Sequence, residues 1–154
     1  MSLAFNRTLN SGVERPEIPL VEEQESGLHI SVIVTSAEAT VAALEKAGSL
    51  AESLGARITL VVPQIVPFPL PLTSPPVSLE FQERRFREIA AHSPVEIRVE
   101  LYLCRDGLQT LKAVLKPHSL IVIGARRRLW GTREKGLARK LRKIGHEVIF
   151  TETE

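Results

Sequence analysis

Between Leu120 and Leu137 the chain reads LIVIGARRRLWGTREKGL: four apolar residues, a glycine, three consecutive arginines and two further glycines. Bare glycine backbone lets N–H groups approach an anion, and the start of a following helix favours negative charge. The planar guanidinium of arginine adds a two-pronged grip on phosphate. Gly124, Arg126, Arg127, Arg128, Gly131, Thr132 and Gly136 are thus the residues here that could hold a phosphate-bearing ligand. Thr35 and Ser36 supply two hydroxyls after an upstream β-branched run, and Val62 closes a second such run. The same two hydroxyls suit helix capping, and no Gly-x-Ser-x-Gly elbow is present to make either a nucleophile.

Other reactive residue types are sparse. His29, His92, His118 and His146 lack the i, i+4 spacing of a helical metal pair and read as surface histidines. Cys104 follows a predicted strand and reads as a packed thiol; the neighbouring Arg105 is the one feature that would favour a reactive one. A single cysteine excludes a disulfide within the chain and fits a reducing cytoplasm. No apolar stretch is long enough to span a bilayer, and the first residues lack the order of a signal peptide.

With 154 residues, 44% hydrophobic and 25% charged, the chain is expected to fold as one domain with a core. Net charge is only +2, but nine cations stand against Glu134 between Arg126 and Lys143. Such a field attracts phosphates, nucleic acid or acidic lipid, although a basic helix face can also simply be solvated. Trp130 is the sole aromatic residue there, too little interleaving for a nucleic-acid surface beyond nonspecific contact.

These residues need a scaffold, and its periodicities are clear. Residues 1–27 read as a flexible tail or docking arm, and 28–154 as the domain. HISVIV (29–34) predicts a strand. TSAEATVAALEKAGSLAESLGA (35–56) predicts a helix, with Thr35 and Glu38 as a capping box and Gly55 as C-terminal cap. RITLVV (57–62) predicts a second strand. PQIVPFPLPLTSPP (63–76) holds six of the ten prolines and is expected to be an extended loop, neither helix nor central strand. A helix over 78–91 follows, with Phe86, Ile89 and Ala90 inward. VEIRVELYL (95–103) alternates strictly, a strand with one wet face that belongs near a sheet edge or on an uncovered face. Asp106 precedes a helix over 107–116, LIVI (120–123) is a buried strand, 133–144 a basic helix, and EVIFT (147–151) a last strand. Five strands joined by helical crossovers predict a three-layer, doubly wound α/β domain with a five-stranded parallel sheet.

The order and lengths of these elements, the stretch ISVIVTSAEATVAALEKAGSLAESLGARITLVV, LIVIGARRRLWG and the basic helix before HEVIF resemble the universal stress protein family over residues 28 to 151. The resemblance implies an adenine nucleotide alpha hydrolase-like fold with strand order 3-2-1-4-5. It also implies a regulatory binding role without catalysis, and a homodimer through the last strand. ATP-binding members have an aspartate after the first strand and a Gly-x2-Gly-x9-Gly-(Ser/Thr) motif after the fourth. Here Thr35 stands in the aspartate's place and Ser36 where a glycine is common. Gly124 fits, Arg127 replaces the second glycine, Gly136 comes one residue early, and Leu137 replaces the hydroxyl residue. ATP held in the family manner is therefore disfavoured and no cofactor is assigned. Two readings stay open: a degenerate, empty site, or a phosphate-ligand sensor gripping through Arg126, Arg127, Arg128 and Thr132.

Overall fold

The structure, a computed structural model, describes residues 5–10, 28–91, 93, 95–116, 119–126 and 132–153. Among these residues six strands and four helices follow in the order β1 (Phe5–Asn10), β2 (His29–Ile33), α1 (Ala37–Leu54), β3 (Arg57–Ile65), α2 (Leu79–Ala90), β4 (Ile97–Cys104), α3 (Gly107–Val114), β5 (Leu120–Arg126), α4 (Thr132–Ile144) and β6 (Glu147–Thr153). The sheet order is β1-β4-β3-β2-β5-β6. Strands β2 to β6 are parallel and reproduce the expected 3-2-1-4-5 arrangement.

Strand β1 was not legible in the sequence. It runs antiparallel to β4, from Phe5 opposite Leu103 to Asn10 opposite Arg98, and covers what would otherwise be a sheet edge. An open row of N–H and C=O groups invites another chain, and pairing it removes that hazard. The wet face of β4 therefore has another cause than an edge position. Helix α3 has only eight residues and lies near the carboxyl ends of β3 and β4, where Gly107 sits beside Ile65 and Pro63. Arg98 and Glu100, nearer the other end of β4, stay outside this cover and pair with each other at 3.4 Å. Tyr102 lies beneath the helices and donates its hydroxyl to Glu100 Oε2 at 2.6 Å. Burial, first, and then the adjacent carboxylate push that phenol's pKa up.

The two faces of the sheet carry separate cores. On one, Ala43, Leu44, Ala47 and Ala51 of α1 and Phe86, Ile89 and Ala90 of α2 pack on Ile30, Val32, Leu60, Val62, Val99 and Leu101. The small residues along α1 bring its backbone close to the strands. On the other, Leu111 of α3 and Ala138 and Leu141 of α4 cover Ile33, Val61, Ile121, Ile123 and Val148. These side chains are at most 3% exposed apart from Ile89 and Val148, and each large one contributes roughly 1.5–3 kcal/mol by leaving water.

Strand ends reach further than the sequence suggests. β3 continues through Pro63 to Ile65, inside the segment expected to be loop. Val34 N–H donates to Val61 O, so the odd-numbered residues of β3 direct their backbone groups toward β2. The pairing with β2 stops at Val61, so the N–H that Pro63 lacks falls where no ladder remains. Beyond it the proline segment leans toward β4: Val66 N–H donates to Cys104 O, and Arg105 Nη1 donates to Val66 O at 2.8 Å. The Arg105 guanidinium lies 4.1 Å from the centre of the exposed Phe68 ring, a cation–π stack that fastens the loop.

Candidate functional site

In a doubly wound sheet the ligand crevice opens beyond the carboxyl ends of the strands where the order reverses, here between β2 and β5. Thr35, Ser36 and Gly124 do meet at this point. Their contacts, however, are with one another and with the fold. Thr35 Oγ1 donates to Gly124 O at 2.7 Å, and Thr35 N–H donates to Thr40 Oγ1 at 3.0 Å. The expected cap is shifted by one residue: Ser36, not Thr35, accepts from Ala39 N–H and starts α1. Gly55 ends it in the left-handed region at φ 66°, as expected.

Gly124 lies inside β5, not in a loop after it. The strand runs on to Arg126, with Gly124, Ala125 and Arg126 opposite Thr151, Glu152 and Thr153 of β6. The first turn of α1 is pressed onto it. A Cβ built on Gly124 would stand 2.0 Å from Ala39 O and 2.7 Å from Ala39 C. Bare backbone at this position is thus required by a crossing helix, which explains the residue without a phosphate.

The other proposed ligand groups are not gathered here. Val62 is 2% exposed and belongs to the core under α1 and α2. Gly136 lies in the fifth position of α4, where its N–H is within reach of the Thr132 carbonyl and no longer among the orphan donors of the helix start. Open space surrounds its Cα hydrogens. A mid-helix glycine without a packing reason costs stability, so Gly136→Ala is expected to stabilise the protein by about 0.5–1 kcal/mol in urea denaturation. Thr132 opens α4 and Arg126 ends β5. Arg127, Arg128, Trp130 and Gly131 lie outside the described residues.

Elsewhere the reactive residues serve the fold. Cys104 is fully buried, with burial pushing its thiol pKa up. Arg105, which would have activated it, instead holds the proline segment. Asp106 caps α3 by accepting from Gln109 N–H. His146 corrects the expectation of a surface histidine: it is 6% exposed, and its Nδ1 accepts the Ser119 N–H at 3.1 Å. His29 Nε2 lies 2.8 Å from Thr59 Oγ1. His92 and His118 lie outside the described residues. Among the described residues no group of three His, Cys, Asp or Glu side chains is placed to hold a metal ion, and no described helix is long and apolar enough to cross a membrane.

The sequence pattern missed one arrangement. Lys135, Arg139 and Arg142 line a groove of about 320 Å³ beside Phe150, between α4 and β6. Their i, i+4, i+7 spacing was visible, but its alignment with an edge strand was not. The chain matches no protein-family model and, among curated proteins, none closely enough to count as a relative.

Proposed function

We propose that this protein is a non-enzymatic regulatory binding protein of the universal stress protein type that does not hold ATP in that family's manner. The observation carrying the reading is the Thr35 hydroxyl bonded to the Gly124 carbonyl under the first turn of α1. The groups that would face a nucleotide in the crevice are already joined to each other. Gly136 supports the same reading, since its N–H belongs to a continuing helix. The reading carries a cytoplasmic, stress-related role with it, to which the unpaired buried Cys104 is suited.

Calorimetric titration with ATP tests it. No saturable heat is expected up to about 1 mM nucleotide, an affinity weaker than roughly −4 kcal/mol. Saturable micromolar binding that Arg127→Ala weakens would overturn the proposal in favour of the arginine-loop phosphate sensor.

The homodimer through the last strand belongs to the same proposal. Two copies joined at β6 about a two-fold axis would extend one sheet and place both α4 helices on the same side of the seam. Lys135 and Arg139 of one copy would then face their counterparts, so such a dimer is expected to strengthen as salt screens the repulsion.

A further inference from the structure

Among the described residues, strand β6 ends the sheet. Glu147 N–H donates to Ser119 O, so the backbone groups of Glu147, Ile149 and Thr151 point to β5, and those of Val148, Phe150 and Glu152 point outward. One outward group is already used: Arg142 Nη2 donates to Val148 O at 2.9 Å. This bond shows that the edge accepts a hydrogen bond from outside the sheet, and it brings a full positive charge to the edge.

Lys135 and Arg139 stand on the same flank of α4. Both are exposed, and neither makes an ion pair with a described residue. Arg142 spends its hydrogen bond on a neutral carbonyl, and it too makes no ion pair with a described residue. The Phe150 ring lies half-buried in the same groove. A row of backbone donors and acceptors beside a row of cations is the complement of one kind of partner.

We propose that the β6 edge and the α4 groove receive an extended, acidic peptide segment of another protein. The segment adds as a further strand beside Phe150 and sets carboxylates from alternate residues against Lys135 and Arg139, near Arg142. The spacings agree: alternate residues of a strand are about 6.7 Å apart, and residues four apart on a helix rise by about 6 Å. Backbone pairing supplies the affinity in this mode of recognition, and side chains at every second position supply the choice of partner. A nucleic acid would meet the cations, but its phosphodiesters bring no donors for the outward carbonyls. A second copy would pair with the same edge, but it brings the same three cations to the seam, so an acidic strand competes with the homodimer for β6 and is favoured over it. An acidic strand satisfies both rows at once.

A fluorescein-labelled peptide of alternating glutamate and valine, followed by anisotropy on the full chain, tests the proposal. Saturable binding is expected, weakening about tenfold between low salt and about 0.3 M, opposite in sign to the dimer's dependence. Lys135→Ala with Arg139→Ala should weaken it about tenfold or more. Glu152→Pro is the sharper variant, because its lost N–H points outward and the ladder to β5 stays whole. That substitution also removes an acid, so charge alone would improve binding, whereas blocked strand addition must reduce it. Circular dichroism checks that each variant folds. The same peptide methylated on alternate backbone nitrogens gives the strand test without any protein variant, and it should fail to bind. Equal affinity for the methylated peptide and the parent would overturn the proposal. So would tighter binding of a single-stranded oligonucleotide of equal charge, unaffected by Glu152→Pro. Light scattering that shows a wild-type dimer, a Glu152→Pro monomer and no peptide binding would overturn it too, while leaving the proposed homodimer standing.

Discussion

Gly124→Ala is expected to destabilise the protein by about 3 kcal/mol or more, lowering the thermal midpoint by about 10 °C. The argument is steric. The new methyl would sit 2.0 Å from the Ala39 carbonyl oxygen, and that atom belongs to helix backbone and not to a side chain that can rotate away. To make room, the first turn of α1 must lift from β5. Lifting it stretches the bond from Thr35 Oγ1 to Gly124 O, and the Ser36 cap moves with it. Gly136→Ala is the built-in contrast, since the same chemical change is expected to stabilise where a Cβ meets nothing. Thermal melts of the two variants side by side check both. A Gly124→Ala protein as stable as the parent would show that α1 does not bear on β5 as described.

The second large effect is expected at His146. His146→Leu should cost about 2 kcal/mol, within the range for a buried donor left without its acceptor. Ser119 is tied on both ends: its N–H goes to His146 Nδ1, and its carbonyl accepts from Glu147 N–H. Its hydroxyl donates to Lys116 O. These bonds fasten the beginnings of β5 and β6 to each other. Leucine fills the space but offers no lone pair, so the Ser119 amide loses its partner away from water. Asparagine places an oxygen near the Nδ1 position, and His146→Asn should recover about half of the loss. Urea midpoints for the three proteins measure this. Equal losses for leucine and asparagine would assign the effect to packing.

The contrast among these residues shows what a single sequence displays and what it hides. Five strands were visible because four are short apolar runs rich in β-branched residues and the fifth, 95–103, alternates at period two, and α1 because its alanines and leucines recur at helical spacing and end at Gly55. β1 was hidden: FNRTLN carries no apolar alternation, and its partner lies far along the chain. Pro63 and Gly124 were read as breakers, yet both lie within strands. The proline is tolerated because the ladder on its N–H side has already stopped, and the glycine is needed by a helix whose first turn precedes it by more than eighty residues. Whether a residue punctuates or packs depends on such neighbours. The same applies to the site. Gly124 and Gly136 were equivalent letters in a motif, but one lies under a crossing helix and the other on an open helix surface. His146 could not be told from a surface histidine until the Ser119 amide was seen to point at it.

The pairing of β1 with β4 also bears on how the chain is made. Phe5–Asn10 leaves the ribosome well before Ile97–Cys104, the strand with which it pairs. At about 5–20 residues per second, roughly 90 residues of further synthesis leave the early segment without its ladder for about 5–20 s. Through that interval the parallel strands β2 and β3 emerge first and can begin to assemble. Strand β1 closes the sheet afterward, as a late clasp on a body already forming.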